Sequence, residues 1–171
     1  GETFRYEKIP VMIHGNLNGR GTGERLAVDC MDSDRLWFAS QQEGLWTSKD
    51  RGAHWEKCSG LPEEYLTFAG RVGQTLLVGT AGVTTAPESG KRGHSLYISV
   101  DRGRTFVLLE EPVSREIEGC RMNGLVAQRF SVDEKYLYVT FASTGRRSYV
   151  LENGYSCDSG DTIDGRIVRY A

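Results

Sequence analysis

One turn occurs twice in this chain, first as Ser48-Lys49-Asp50-Arg51-Gly52-Ala53-His54-Trp55 and again as Ser99-Val100-Asp101-Arg102-Gly103-Arg104-Thr105-Phe106. Both copies fit the pattern Ser-x-Asp-x-Gly-x-(Thr/His)-(Trp/Phe), and Ser99 follows Ser48 by 51 residues. Repeats of about 40–50 residues are typical of stacked supersecondary units such as propeller blades. The repeat therefore predicts the architecture before any residue is assigned a chemical role.

Each copy has the composition of a tight turn between two strands, with apolar alternation before it and an aromatic residue at its end. An aspartate in such a turn accepts hydrogen bonds from nearby backbone N–H groups, and a glycine supplies a positive φ. The pattern resembles the Asp-box of sialidase-like and other β-propellers. A catalytic role is disfavoured, because the second copy has Thr105 where the first has His54. We therefore expect a structural role for the pattern residues, which are Ser48, Asp50, Gly52, Trp55, Ser99, Asp101, Gly103 and Phe106.

The strand patterns predict an all-β fold, a partial β-propeller of about two and a half to three four-stranded blades. The predicted strands include residues 4–13, 44–48, 54–57, 75–80, 105–109 and 165–170. We assign the chain to one propeller segment: residues 1–14 are the outer strand of a preceding blade, 15–60 the first complete blade, 61–112 the second, and 113–171 a third, incomplete blade. An incomplete blade exposes strand edges, which promotes association. We therefore expect either further blades in a longer parent chain or self-association of copies.

The composition argues against several kinds of partner. The chain has 171 residues, a formal net charge of −2 and scattered basic residues, so we expect no nucleic-acid partner. No apolar run approaches the roughly 20 residues of a membrane span. The three histidines are dispersed and the four cysteines lack C-x-x-C spacing, so we expect no metal and no cofactor. We favour free thiols, although four cysteines allow three disulfide pairings.

A ligand is expected at the end of the sheets opposite the Asp-boxes. Connections alternate between the two ends of a meander, which places loops 41–44, 81–93 and 143–164 together, and long loops often carry function. In the third loop, Tyr149 and Tyr155 are suited to stacking on sugar rings, and Asp158 and Asp161 to binding hydroxyl groups. The alternatives are an ordinary solvated loop or a calcium site that includes Asp164, although the spacing is not that of an EF-hand.

Beyond the repeat, several segments resemble glycoside hydrolase family 74, which contains xyloglucanases and related β-1,4-glucanases. The matching segments are Asn18-Gly19-Arg20-Gly21-Thr22-Gly23-Glu24-Arg25-Leu26-Ala27-Val28-Asp29, Arg35-Leu36-Trp37-Phe38, residues 44–55, and Asp164-Gly165-Arg166-Ile167-Val168-Arg169-Tyr170. The first is similar to the family run NGRGxGERLAVDP, and residues 44–55 are similar to GLWxSxDxGxTW. The chain departs from the family at Cys30 in place of proline, at His54 in place of threonine, and in a shortened second blade.

The resemblance implies two seven-bladed propellers with a glucan cleft between them, and inverting hydrolysis by one aspartate from each propeller. Inversion requires two carboxyl groups about 6.5–9.5 Å apart. The family motif RTDxGGxYRW, which carries the first aspartate, is absent from this chain, and the equivalent loop contains Gln41 and Gln42 instead. We therefore expect no catalytic residue here.

The resulting hypothesis is a segment of a xyloglucanase-like glycoside hydrolase that supplies part of the cleft wall. We expect a β-glucan substrate, no cofactor, and an extracellular or cell-surface location. The alternative is a non-catalytic Asp-box propeller that serves as a binding or assembly scaffold. A third possibility is that Glu43 or Asp161 has been recruited for hydrolysis. The expected substrate-binding residues are Asn18, Arg20, Gln41, Gln42, Tyr149 and Tyr155.

Overall fold

The structure is a computed structural model that describes residues 3–11, 13, 24–40, 42–61, 66–80, 96–109, 120–121, 125–143, 146–147 and 165–171. All regular structure in this part of the chain is β-strand, which confirms the predicted fold class. None of the described residues forms a helix that could cross a bilayer. The strands are β1 Leu26–Asp29, β2 Asp32–Ser40, β3 Gly44–Ser48, β4 Glu56–Lys57, β5 Leu66–Val72, β6 Thr75–Thr80, β7 Leu96–Ser99, β8 Val107–Leu108, β9 Cys120–Arg121, β10 Leu125–Val132, β11 Leu137–Ser143, β12 Arg146–Arg147 and β13 Gly165–Tyr170.

The strands form meander sheets of the kind found in propeller blades. The first sheet has the order β1-β2-β3-β4, the second β5-β6-β7-β8, and the third β10-β11-β13. Neighbouring strands in these sheets are antiparallel. Both Asp-boxes, which join β3 to β4 and β7 to β8, therefore lie at one end of their sheets, called here the Asp-box end. The β2–β3 and β6–β7 connections lie at the other, called the loop end.

Several strands lie at their predicted positions, and the fourth strand of each of the first two sheets is shorter than predicted. β3, β6 and β13 begin and end at the predicted residues. β4 and β8 contain only two residues each, because the turn hydrogen bonds before them extend to His54 and Thr105. A small antiparallel ladder between β9 and β12 was not predicted.

The strand predicted over residues 4–13 is not formed at residues 4–11 and 13, which the structure describes. Residues 3–11 and 13 pair with no strand in the described part of the chain, and Phe4 and Tyr6 are 94% and 96% exposed. Alternating aromatic and charged residues favour a strand only where a partner strand offers hydrogen bonds and packing. The assignment of this segment to a preceding blade remains a prediction.

Two apolar clusters join the three larger sheets. One contains Trp37 and Leu76 and lies between the first and second sheets, and the other contains Phe68 and Phe141 and lies between the second and third. All four side chains are at least 98% buried. Burial of a large apolar side chain contributes about 1.5–3 kcal/mol, so sheet-to-sheet packing is a major source of stability.

Neighbouring sheets approach each other most closely at two glycines. A Cβ atom on Gly60 would lie 2.1 Å from the backbone oxygen of Arg104, which belongs to the Asp-box of the next sheet. A Cβ atom on Gly70 would lie 2.1 Å from the ring of Phe130 in the third sheet. Both distances are far below the 3.4–4 Å of ordinary contact. The sheets can therefore pack this closely only because both positions are glycine.

Candidate functional site

The first Asp-box folds around the Ser48 hydroxyl and the Asp50 carboxylate. Ser48 Oγ accepts the backbone N–H of Gly52 at 2.8 Å and donates to Asp50 Oδ1 at 2.9 Å. Asp50 Oδ1 also accepts the backbone N–H of His54 at 2.9 Å, and Oδ2 lies 2.6 Å from His54 Nδ1. Trp55 Nε1 donates to the carbonyl oxygen of Gly52 at 2.9 Å, which anchors the indole ring. These polar groups stabilise the turn itself.

The second Asp-box repeats this network with a different side chain at its seventh position. Ser99 Oγ accepts the backbone N–H of Gly103 and donates to Asp101 Oδ1, both at 2.8 Å. Thr105 donates its backbone N–H to Oδ1 at 2.9 Å and its hydroxyl to Oδ2 at 2.6 Å. His54 and Thr105 therefore reach equivalent carboxylate oxygens at the same distance, and the histidine replaces the threonine structurally.

Both turns place two consecutive residues in the left-handed region of the backbone map. The φ angles are 60° at Arg51 and 93° at Gly52, and 62° at Arg102 and 84° at Gly103. Two central residues with positive φ are typical of the type I′ hairpin turn, whose twist matches that of the flanking strands. The glycine positions were predicted, whereas the arginines were not, because a left-handed non-glycine residue costs about 1–2 kcal/mol.

The turn hydrogen bonds keep both Asp-box carboxylates ionised. The backbone N–H of His54, followed by its ring and by the Ser48 hydroxyl, lowers the pKa of Asp50 from 3.8 to about 2. The Thr105 hydroxyl, followed by its backbone N–H, lowers the pKa of Asp101 from 3.8 to about 2. A general acid requires a raised pKa. The geometry therefore supports a structural role for the two aspartates.

At the loop end, residues 42–43 between β2 and β3 form a turn that is held by hydrogen bonds to Ser40 and Trp46. Ser40 Oγ accepts the backbone N–H groups of Gln42 at 3.4 Å and Glu43 at 3.1 Å, and Trp46 Nε1 donates to the Glu43 carbonyl at 3.2 Å. Gln42 is exposed on this turn. An amide side chain both donates and accepts hydrogen bonds, so this position is suited to contact with hydroxyl groups.

Most of the predicted ligand site falls outside the described residues. This applies to Asn18, Arg20, Gln41, Tyr149 and Tyr155, and also to Asp158, Asp161 and Asp164. Within the described ranges, no group of three or more histidine, cysteine or acidic side chains is arranged to hold a metal ion. Cys30 and Cys58 are free thiols.

Sequence reasoning missed a buried ionic cluster between the first two sheets at the Asp-box end. The Asp29 side chain is 1% exposed, and its two carboxylate oxygens lie 3.3 Å from Arg71 Nη2 and 3.7 Å from Arg102 Nε. The Arg71 guanidinium also lies 5.2 Å from the centre of the Trp37 ring. A signal was present in the strand pattern, because Asp29 follows Ala27 on the buried face of β1. The cluster ties the two sheets together.

The strand order and the turns define an all-β protein of propeller-type sheets, two of which have an Asp-box turn between their last two strands. No protein-family model matches the chain. It is similar to a xyloglucanase of Paenibacillus sp, with 32% identity over an alignment 123 positions long, which covers 62% of this chain and 12% of that protein. A xyloglucanase of Hypocrea jecorina has 30% identity over an alignment 134 positions long, which covers 62% of this chain and 15% of that protein.

The chain is also similar to solved structures of family 74 enzymes. The family 74 xyloglucanase of Xanthomonas campestris matches 98% of this chain and 25% of its own, with a TM-score of 0.58 and 24% identity, which shows the fold. A family 74 enzyme of Niastella koreensis matches 78% of this chain and 20% of its own, with a TM-score of 0.55 and 28% identity. These matches confirm the resemblance to glycoside hydrolase family 74. The chain spans only 12% and 15% of the two curated relatives.

Proposed function

We propose that the chain forms part of the wall of a glucan-binding cleft in a xyloglucanase-like glycoside hydrolase, and that the catalytic carboxylate pair lies outside it. The observation that carries the proposal is the combined similarity of sequence and fold to xyloglucanases and to a family 74 enzyme. Because the chain spans a small part of those relatives, the activity and the substrate of a whole protein are included in the proposal.

The environments of the described aspartates support the absence of a catalytic pair. Asp50 and Asp101 are held ionised inside their turns, and Asp29 is buried against arginine. Asp133 accepts two backbone N–H groups at 2.7 and 2.8 Å, which lower its pKa. An inverting hydrolase requires one carboxyl group of raised pKa as its acid, and Asp50, Asp101 and Asp133, whose pKa values are lowered, do not provide it.

The proposed substrate surface is the loop end, where Gln42 stands exposed on a fixed turn. Amide and guanidinium groups form hydrogen bonds with sugar hydroxyls, and tyrosine rings pack against the apolar faces of sugar rings. We assign the remaining contacts to the residues expected from sequence. They are Asn18, Arg20, Gln41, Tyr149 and Tyr155.

A calorimetric titration with a xyloglucan oligosaccharide tests this surface. The variant Gln42→Ala is compared with Gln74→Ala, which removes the same side chain from an exposed turn at the Asp-box end. Loss of one hydrogen bond should weaken binding about two- to tenfold in Gln42→Ala, with no change in Gln74→Ala. Equal effects of both variants would contradict the assignment of the surface.

A reducing-end assay tests the catalytic part of the proposal. The chain alone should release no reducing ends from xyloglucan. Release that disappears in Glu43→Gln would instead identify Glu43 as a catalytic carboxylate, because this substitution removes the acid and keeps the shape.

The second candidate function is a non-catalytic scaffold, and it is favoured if no β-glucan binds. In either case we propose that further blades or a second copy cover the open side of the first sheet, where Leu26 and Val28 are 51% and 49% exposed. Light scattering at high concentration tests self-association. We further propose that the protein acts outside the cell or at its surface.

A further inference from the structure

A cleft of about 330 Å³ opens at the Asp-box end, between the outer strands of the first sheet and the second Asp-box. Five basic side chains and one acidic side chain line it, together with small polar residues. This concentration of positive charge stands out in a chain whose formal net charge is −2. The charged residues of the cleft are Arg35, Lys49, Lys57, Arg102, Arg104 and Glu56.

The single acidic side chain neutralises only part of this charge. Glu56 forms an ion pair with Lys49, and both side chains are 59% exposed at the rim. Arg102 lies 3.7 Å from the buried carboxylate of Asp29, which is already shared with Arg71. More basic than acidic side chains therefore line this partly enclosed space, where electrostatic attraction is stronger than in open water.

Arg35 provides a second, independent indication. Its side chain is 17% exposed and forms a long ion pair, in which Nε lies 3.8 Å from Asp32 Oδ2. Within the described part of the chain, Nε is buried and has no hydrogen-bond partner. A buried donor without a partner is destabilising, and an anion in the cleft would offset this cost.

The Cys58 thiol and the backbone of Gly103 and Arg104 also line the cleft, add no negative charge to it and are held in place. Cys58 is 8% exposed, and burial raises the pKa of its thiol to about 11, so it adds no negative charge at neutral pH. The backbone N–H groups of Gly103 and Arg104 are bound to Ser99 and Asp101. A wall held in this way needs little reordering when a ligand binds.

We propose that this cleft binds a small oxyanion, either a free phosphate or sulfate or the carboxylate of an acidic sugar. Guanidinium groups present planar pairs of N–H donors that match the oxygens of such anions. The cleft lies at the end of the sheets opposite the proposed glucan surface, so the proposal does not depend on the proposed function.

Calorimetric titrations of the chain at low ionic strength provide the test, with inorganic phosphate, glucuronate and glucose as probes. Phosphate and glucuronate should bind at a single site, and glucose, the neutral analogue of glucuronate, should not. Tighter binding of glucuronate would identify an acidic sugar as the source of the anion, and tighter binding of phosphate a free ion. Binding should weaken as salt is raised from about 10 to 150 mM, because the rim charges are screened.

Variants locate the site. Arg104→Gln lies on an exposed position and should weaken anion binding about tenfold or more. Arg35→Lys keeps the charge but loses the planar fork, so it should weaken binding less than Arg104→Gln. Lys135→Gln removes an exposed cation outside this cleft and should leave binding unchanged. Absence of anion binding, equal binding of glucose, or equal loss in Arg104→Gln and Lys135→Gln would overturn the proposal.

Discussion

Replacing Gly60 with alanine should destabilise the protein by forcing two sheets apart. The new Cβ atom would lie 2.1 Å from the backbone oxygen of Arg104, so relief to an ordinary 3.4 Å contact requires about 1.3 Å of movement. A flexible side chain could turn aside, but this neighbour is backbone, and its turn is held by the hydrogen bonds of Asp101. Overpacking of this kind costs about 1–3 kcal/mol, and we expect the upper end of that range.

Thermal and urea unfolding measure this effect against a matched glycine variant. At 2–4 °C per kcal/mol for a chain of this size, the melting temperature of Gly60→Ala should fall by roughly 6–12 °C. Gly73→Ala is the control, because its Cβ would meet nothing within 4 Å although its φ is +56°. The control should therefore be destabilised only by the cost of placing a non-glycine residue in the left-handed region, about 1–2 kcal/mol. A Gly60→Ala variant as stable as wild type, or more stable than Gly73→Ala, would refute the reasoning.

Three further predictions concern the Asp-boxes and the thiols. The folded pKa values of Asp50 and Asp101 are about 2 instead of 3.8. Their ionised carboxylates therefore stabilise the folded protein above pH 4, and this stabilisation is lost as the pH falls towards 2. The melting temperature of the Asp50→Asn, Asp101→Asn double variant should accordingly fall less steeply over that window. His54→Thr should leave the melting temperature within about 2 °C of wild type, since the hydroxyl supplies the same donor, whereas His54→Phe should lower it in the same scan. In mass-spectrometric mapping at pH 8, iodoacetamide should modify the exposed Cys30 and spare Cys58, because burial raises the pKa of the latter thiol to about 11; equal labelling would contradict the burial.

The sequence predicted the features that depend on short stretches of chain. The Asp-box turns could be recognised because their hydrogen bonds join residues only a few positions apart, and strands such as β3 and β6 follow directly from the apolar pattern beside them. The strand expected over residues 4–13 failed for the opposite reason, because strand formation requires a partner that local propensity does not supply.

The sequence alone did not predict which residues of neighbouring sheets are in contact. Asp29 and Arg71 are far apart in the chain, and only the packing of the first sheet against the second brings them within 3.3 Å. The basic cleft arises in the same way, since Arg35 and Arg104 come from different sheets. Of the candidate glucan surface, the structure describes Gln42, and the other expected contacts remain predictions.

The exchange of an imidazole for a hydroxyl at the seventh position of the Asp-box has a consequence for how such repeats are recognised. Position 54 and position 105 differ in size, shape and ring chemistry, yet both bring a polar hydrogen to the same carboxylate oxygen at 2.6 Å. The turn therefore tolerates a different residue at this position wherever that residue still donates a hydrogen bond to the carboxylate. A search phrased in amino-acid names would overlook copies in which asparagine or glutamine performs that task, whereas a search phrased in donors and acceptors would retrieve them.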